Sequence, residues 1–143
     1  RITENLFRGH GGYQAAIYAR PNRRDGSLAD VRVMREIRIQ TNRFVDLGTP
    51  AIELHSCRDV QIVNNVITTA DEVHRPRPRY ATLVLDNCGT TEVSGLRVSD
   101  VSPAHEAAIE VSATCGVGAD GVTITGLDAA LAPDSVPVCD LRP

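Results

Sequence analysis

Five times along the chain, apolar and polar residues alternate over a short stretch, the chain bends, and an apolar residue follows. The clearest copies are Ile2-Thr-Glu-Asn5-Leu-Phe7, Ile37-Arg-Ile39-Gln-Thr-Asn42-Arg-Phe44 and Val60-Gln-Ile62-Val-Asn-Asn65-Val-Ile67. Val93-Ser-Gly-Leu96-Arg-Val98 and Val122-Thr-Ile124-Thr-Gly-Leu127 repeat the phrase more weakly. Alternation at period two predicts strands with one buried face. The bend falls at Asn5, Asn42, Asn65, Leu96 and Leu127, and Asn tolerates the left-handed backbone of a sharp turn. Recurrence at intervals of about 20–40 residues predicts a stacked array, not one globular sheet.

A second strand set follows the bends, over residues 16–20, 51–55, 82–86 and 108–112. Aligned with one another, these place Ile17, Ile52, Leu83 and Ile109 in one buried column, and Ala19, Leu54, Leu85 and Val111 in the next. Outward positions then form two columns of their own. One holds Tyr18, Glu53, Val84 and Glu110; the other holds Arg20, His55, Asp86 and Ser112. Every repeat runs the same way, so the strands are expected to pair in parallel, about 4.8 Å apart. The predicted fold is all-β: a right-handed parallel β-helix of about four to five coils, without helices. Residues 21–33 and 70–79 break the pattern and are expected to protrude as loops. The coils are expected to occupy residues 1–130. Pro133, Pro137 and Pro143 predict a tail or linker over 131–143. The first coil begins without a cap, which solenoids need for solubility, so the chain is expected to be part of a longer helix.

Asn5, Asn42 and Asn65 share a position, and stacked amides can hydrogen-bond along the axis. Cys57 and Cys88 share another, with Cys115 one residue further on in its repeat. Neighbouring strands bring Cα atoms within disulfide range, so a bridge and a stack of buried thiols are both allowed; Cys139 could reach Cys115. No Cys-x-x-Cys pair is present, which argues against a zinc site. No metal or other cofactor is expected.

Composition narrows the partners. The 143 residues suffice for one domain, and the net charge of −3 gives no reason to expect nucleic acid. All 15 basic residues are Arg, as codon bias would produce. Only five residues are aromatic, too few for a conventional sandwich core but enough for a narrow aliphatic one. No apolar run has the length of a membrane span, and no signal peptide opens the chain.

Candidate chemistry lies on the outward columns. Paired carboxylates are what glycoside hydrolysis requires: one protonates the leaving oxygen while the other activates water or attacks. Glu53 is the candidate catalytic residue, with Tyr18, Arg20, His55 and Asp86 as substrate-binding residues. Glu53 and Asp86 lie one coil apart and offset by two residues, which allows the wider separation of an inverting pair. A solvated sheet face with scattered charges is the plain alternative. Gly9-His10-Gly11-Gly12 reads first as a turn and second as a catalytic loop. Tyr80 could stack on a sugar ring, and the basic run His74-Arg75-Pro-Arg77-Pro-Arg79 could form a rim over the sheet.

The words Ile-Arg-Ile-Gln-Thr-Asn-Arg-Phe, Pro-Ala-Ile-Glu-Leu-His-Ser-Cys and Val-Gln-Ile-Val-Asn-Asn-Val-Ile resemble the right-handed parallel β-helix superfamily of pectin-lyase-like proteins, over about residues 1–130. Tyr13-Gln14-Ala-Ala-Ile17-Tyr18, with 37–44 and 51–67, is similar to the late coils of bacterial α-1,3-galactosidases that remove blood-group-B galactose. That resemblance implies a metal-independent inverting enzyme acting on oligosaccharide or polysaccharide, in an extracellular or periplasmic location. It also implies an adjacent pair of catalytic Asp residues. The chain contains no Asp-Asp, so no catalytic residue is carried over, and the pair is expected in coils before Arg1. A polysaccharide lyase or epimerase is the alternative enzyme, although lyases of this superfamily usually hold Ca²⁺ with clustered Asp, and no such cluster is visible. The non-enzymatic alternative is an adhesin, a tail-spike part or a carbohydrate-binding scaffold. A scaffold would leave the outward strip flat, whereas an enzyme would gather Glu53, His55 and Asp86.

Overall fold

A computed structural model of the chain describes residues 1–9, 14–22, 31–69, 80–100 and 105–143. The strands are β1 (Ile2–Thr3), β2 (Leu6–Arg8), β3 (Ile17–Ala19), β4 (Met34–Gln40), β5 (Arg43–Val45), β6 (Ile52–His55), β7 (Cys57–Val63), β8 (Val66–Thr69), β9 (Tyr80–Asp86), β10 (Gly89–Ser94), β11 (Arg97–Asp100), β12 (His105–Val111), β13 (Val122–Thr125), β14 (Asp128–Leu131) and β15 (Val136–Asp140). They form three parallel sheets. Sheet A is β1-β4-β7-β10-β13, sheet B is β2-β5-β8-β11-β14, and sheet C is β3-β6-β9-β12-β15. Each strand pairs with the one three places later, so the chain visits A, B and C in rotation, as a β-solenoid does. One 3-10 turn, Gly118–Asp120, is the only helical element among the described residues.

Alternation sets the core. On sheet C, Ile17, Ile52, Leu83 and Ile109 pair in register and are all buried. Ala19, Leu54, Leu85 and Val111 form the second inward column, as the sequence predicts. On sheet B, Phe7, Phe44, Ile67, Val98 and Ala129 stack in register. On sheet A, Ile2, Ile39, Ile62, Val93 and Ile124 do the same. Burying one such side chain contributes about 1.5–3 kcal/mol.

The corner from sheet A to sheet B carries the expected amide ladder. Asn42 Oδ1 accepts from the backbone N–H and Nδ2 of Asn5, at 3.0 and 3.1 Å. Asn65 Oδ1 accepts from the same two groups of Asn42, both at 3.0 Å. Asn42 Nδ2 also donates to the Ile2 carbonyl, and Asn65 Nδ2 to the Ile39 carbonyl. Asn42 and Asn65 are wholly buried, so the ladder supplies partners that water cannot.

The bend itself sits one residue earlier than the sequence suggested. The left-handed residues are Glu4, Thr41, Asn64, Gly95 and Gly126, all with φ between 52° and 61°. The ladder Asn therefore does not adopt the left-handed backbone; it follows the residue that does. This explains Gly95 and Gly126. A side chain at Gly95 would also collide with the Asn64 amide above it.

The repeat continues past Ala130, in the stretch expected to be tail. β15 pairs with β12 through Ala107↔Val136, Ile109↔Val138 and Glu110↔Cys139. Pro137 is tolerated there because β15 is the edge strand of sheet C. Arg142 fastens the end, donating to the carbonyls of Gly116 and Val122 and pairing with Asp140 at 2.6 Å. The expected loops over 70–79 and most of 21–33, and the Gly-His-Gly-Gly run beyond Gly9, lie outside the described residues.

Candidate functional site

Sheet C's outer face gathers the candidate residues. On β6, Ile52 and Leu54 point inward, so Glu53 and His55 point outward. His55 ends β6 and Asp86 ends β9, and the two pair in register. Immediately after each, a left-handed residue turns the corner to sheet A: Ser56 with φ 53° and Asn87 with φ 51°. The corner fixes where both side chains stand.

His55 joins two carboxylates. Its Nε2 lies 2.9 Å from Glu53 Oε1 and its Nδ1 lies 3.0 Å from Asp86 Oδ2. A neutral imidazole has one N–H and one acceptor nitrogen, but ionised carboxylates only accept. With both carboxylates ionised, the two bonds form together only if the ring is an imidazolium. Asp86 Oδ1 in turn accepts from Ser112 Oγ at 2.8 Å and Thr114 Oγ1 at 2.7 Å. The Tyr18 ring meets the His55 ring edge-on, with centroids 5.9 Å apart.

Charge states follow from these contacts. The hydrogen bond to Glu53 raises the His55 pKa, burial opposes it, and Asp86 adds to the rise. Burial would raise Asp86, but the hydroxyls of Thr114 and Ser112 and the His55 ring outweigh it, holding the carboxyl below its ordinary range. Because the His55 pKa is raised, its contribution to stability is complete below the ordinary value of 6.5 and lost as pH rises through the folded value. The Asp86 contribution is present above the ordinary 3.8 and lost as pH falls through its lowered value. The network is therefore complete in mildly acidic solution and weakens on either side.

Glu110 lies on the same outward column as Glu53, two strands along, through Tyr18↔Glu53↔Val84↔Glu110. Burial raises its pKa, and repulsion from Glu106, Asp86 and Glu53 raises it further. One face thus holds a carboxylate whose pKa is lowered beside His55, Asp86, and one whose pKa is raised, Glu110.

Of the predicted site residues, Glu53, His55, Asp86 and Tyr18 come together. Arg20 follows β3 and is exposed, without a contact to the His55 network among the described residues. Tyr80 is buried at the start of β9, so it does not offer an open face to a sugar. Glu53 departs from the solvated strip expected of an outward position: it is 7% exposed. Ser112 was legible from the outward column. Thr114, in the turn after β12, was not, because nothing in the alternation extends beyond the strand.

The chemistry and an evident concavity fall on different faces. A depression of about 480 Å³ lies on sheet A, lined by Glu36, Arg38, Asp59, Gln61, Glu92 and Thr123 among others. Its carboxylates are exposed, whereas those of sheet C are joined through a partly buried ring. Interacting, partly desolvated titratable groups are the better mark of a functional site.

Among the described residues no group of His, Cys, Asp and Glu could hold a metal ion, and no helix is long and apolar enough to cross a membrane. Compared with known proteins, the chain matches no family model, no curated protein and no solved structure.

Proposed function

We propose that the chain is part of a right-handed parallel β-helix enzyme that hydrolyses glycosides, α-galactosidase-like and inverting, with its site on the outer face of sheet C. Parallel crossover connections are right-handed in about 98% of cases, which supports the handedness. The observation that carries the function is the joined Glu53–His55–Asp86 unit with Glu110 on the same column. Two strand spacings separate the Glu53 and Glu110 backbones, about 9–10 Å, near the span that leaves room for water between an inverting pair.

The roles follow from the arrangement of these groups. Glu110, whose pKa is raised by burial and by its carboxylate neighbours, delivers a proton to the glycosidic oxygen. Glu53, ionised beside the imidazolium, takes a proton from water attacking the opposite face of the ring. Asp86 stays ionised and opposes the positive charge that develops on the sugar. Tyr18 packs on His55 and fixes its plane. A lyase or epimerase fits less well, because an imidazolium held between two carboxylates has no lone pair with which to abstract a proton.

Proton NMR of the products tests this. With an α-galactoside, the first anomer released should be β. Release of α first would replace inversion by retention. Saccharide binding without turnover would favour a carbohydrate-binding scaffold. If no α- or β-galactoside is bound or cleaved, the reading fails.

A further inference from the structure

Directly beneath the site, three thiols form a column in the core. Cys57 opens β7, Cys88 precedes β10, and Arg58↔Gly89 pairing sets the two cysteines side by side. The Gly116 N–H donates to the Cys88 carbonyl at 2.7 Å, which brings Cys115, in the turn after β12, alongside. All three are free and buried. The Cys57 thiol donates to the His55 carbonyl at 3.2 Å, and the Cys88 thiol lies 3.4 Å from the Leu54 carbonyl. Cys115 Sγ accepts from the Cys88 N–H at 3.4 Å.

Parallel neighbours in register hold Cα atoms about 4.8 Å apart, inside the roughly 4.4–6.8 Å that a disulfide spans. The Arg58↔Gly89 register makes Cys57 such a neighbour of Cys88, whereas Cys115 lies beyond the end of β12, and sulfur chemistry separates the two further. The thiolate is the nucleophile toward an oxidant. A hydrogen bond from the Cys88 thiol holds Cys57 below the ordinary thiol range, against the effect of burial. On Cys88, the bond from Cys115 lowers the pKa, but its own donation to Cys57, with burial, pushes it up to about 12. Cys115, donating to Cys88 and desolvated, is pushed up as well. The reactive end of the column is Cys57.

We propose that Cys57 and Cys88 are a modification site, a dithiol that a small peroxide oxidises to a disulfide within the folded core. The Cys57 sulfur attacks one peroxide oxygen; an S–O bond forms, the O–O bond breaks, and water leaves. The Cys88 sulfur then attacks the resulting sulfenic acid; the S–S bond forms, the S–O bond breaks, and a second water carries off the Cys88 proton. Two thiols and hydrogen peroxide thus give one disulfide and two waters. Both sulfurs are buried, so the oxidant enters through local opening and the folded chain reacts more slowly than the unfolded one.

The test treats the folded, reduced chain with hydrogen peroxide, traps remaining thiols by alkylation, and maps the peptides by mass. The expected product has lost one pair of hydrogens, joins the Cys57 and Cys88 peptides, and reverts with dithiothreitol. Cys115→Ser should leave the cross-link intact. Cys88→Ser should leave Cys57 as a sulfenic acid that dimedone captures. Retention of the Cys57 and Cys88 thiols after peroxide exposure extended at least a hundredfold beyond the time that oxidises the urea-unfolded chain would overturn the proposal. So would a cross-link that joins Cys88 to Cys115. Because the readout is mass, the result is independent of any activity on saccharides.

Discussion

Glu53→Gln should lower turnover on a galactoside about 10²- to 10⁴-fold with KM little changed, since a base or acid positioned at the reacting centre contributes about that much. Gln keeps the length of the side chain and an oxygen that can accept from His55, but it cannot take a proton. The loss should therefore appear in kcat. If Glu53 only holds a sugar hydroxyl, KM should rise while kcat stays put. Measuring both parameters separates the two roles. Wild-type values for both would remove Glu53 from the reaction and leave sheet C's face as a charged surface.

Phe44→Ala should cost about 3–5 kcal/mol of stability, the range for removing a buried aromatic side chain from a core. Phe44 is fully buried and stacks on Phe7 with ring centroids 4.9 Å apart and planes within 7°. On its other side the register neighbour is Ile67, and the column narrows further to Val98 and Ala129, so that side cannot fill the space. In a solenoid each layer is held by its neighbours, and a void in one weakens both interfaces. Urea unfolding measures the effect. A midpoint equal to that of the unaltered chain would mean that Phe44 is not a packed element of the core.

What the sequence made legible was periodic. The Ile17–Ile52–Leu83–Ile109 column, the Asn5–Asn42–Asn65 ladder and the Cys57–Cys88 pair all follow from aligning repeats, because a parallel stack converts equal phase into contact; Cys115 joins the thiols from one residue out of phase. The pairing of His55 with Asp86 follows in the same way. What escaped depends on neighbours outside the phase. The left-handed residue precedes the ladder Asn, and Glu4 or Thr41 carries no compositional mark of it, whereas Gly95 and Gly126 do. Pro137 disguised β15, since proline argues against a strand unless the strand is known to be an edge. Burial of Glu53 cannot be read from alternation, which assigns a face and not its cover. Glu110 sat in the right column, but its raised pKa comes first from burial and then from Glu106, Asp86 and Glu53 across three strands, none of which alternation reports.

Sheet C joins Glu53, His55 and Asp86 through the two ring nitrogens of His55, an arrangement that two ionised carboxylates satisfy only with an imidazolium. Nitrogen-15 NMR of the His55 ring across a pH titration tests it most directly. At pH 6.5, where a free imidazole is half protonated, both ring nitrogens of His55 should carry protons and show imidazolium shifts, with the midpoint displaced upward. Asp86→Asn should bring that midpoint down. A neutral ring with one unprotonated nitrogen at pH 6.5, or a midpoint at or below the ordinary value, would contradict the account.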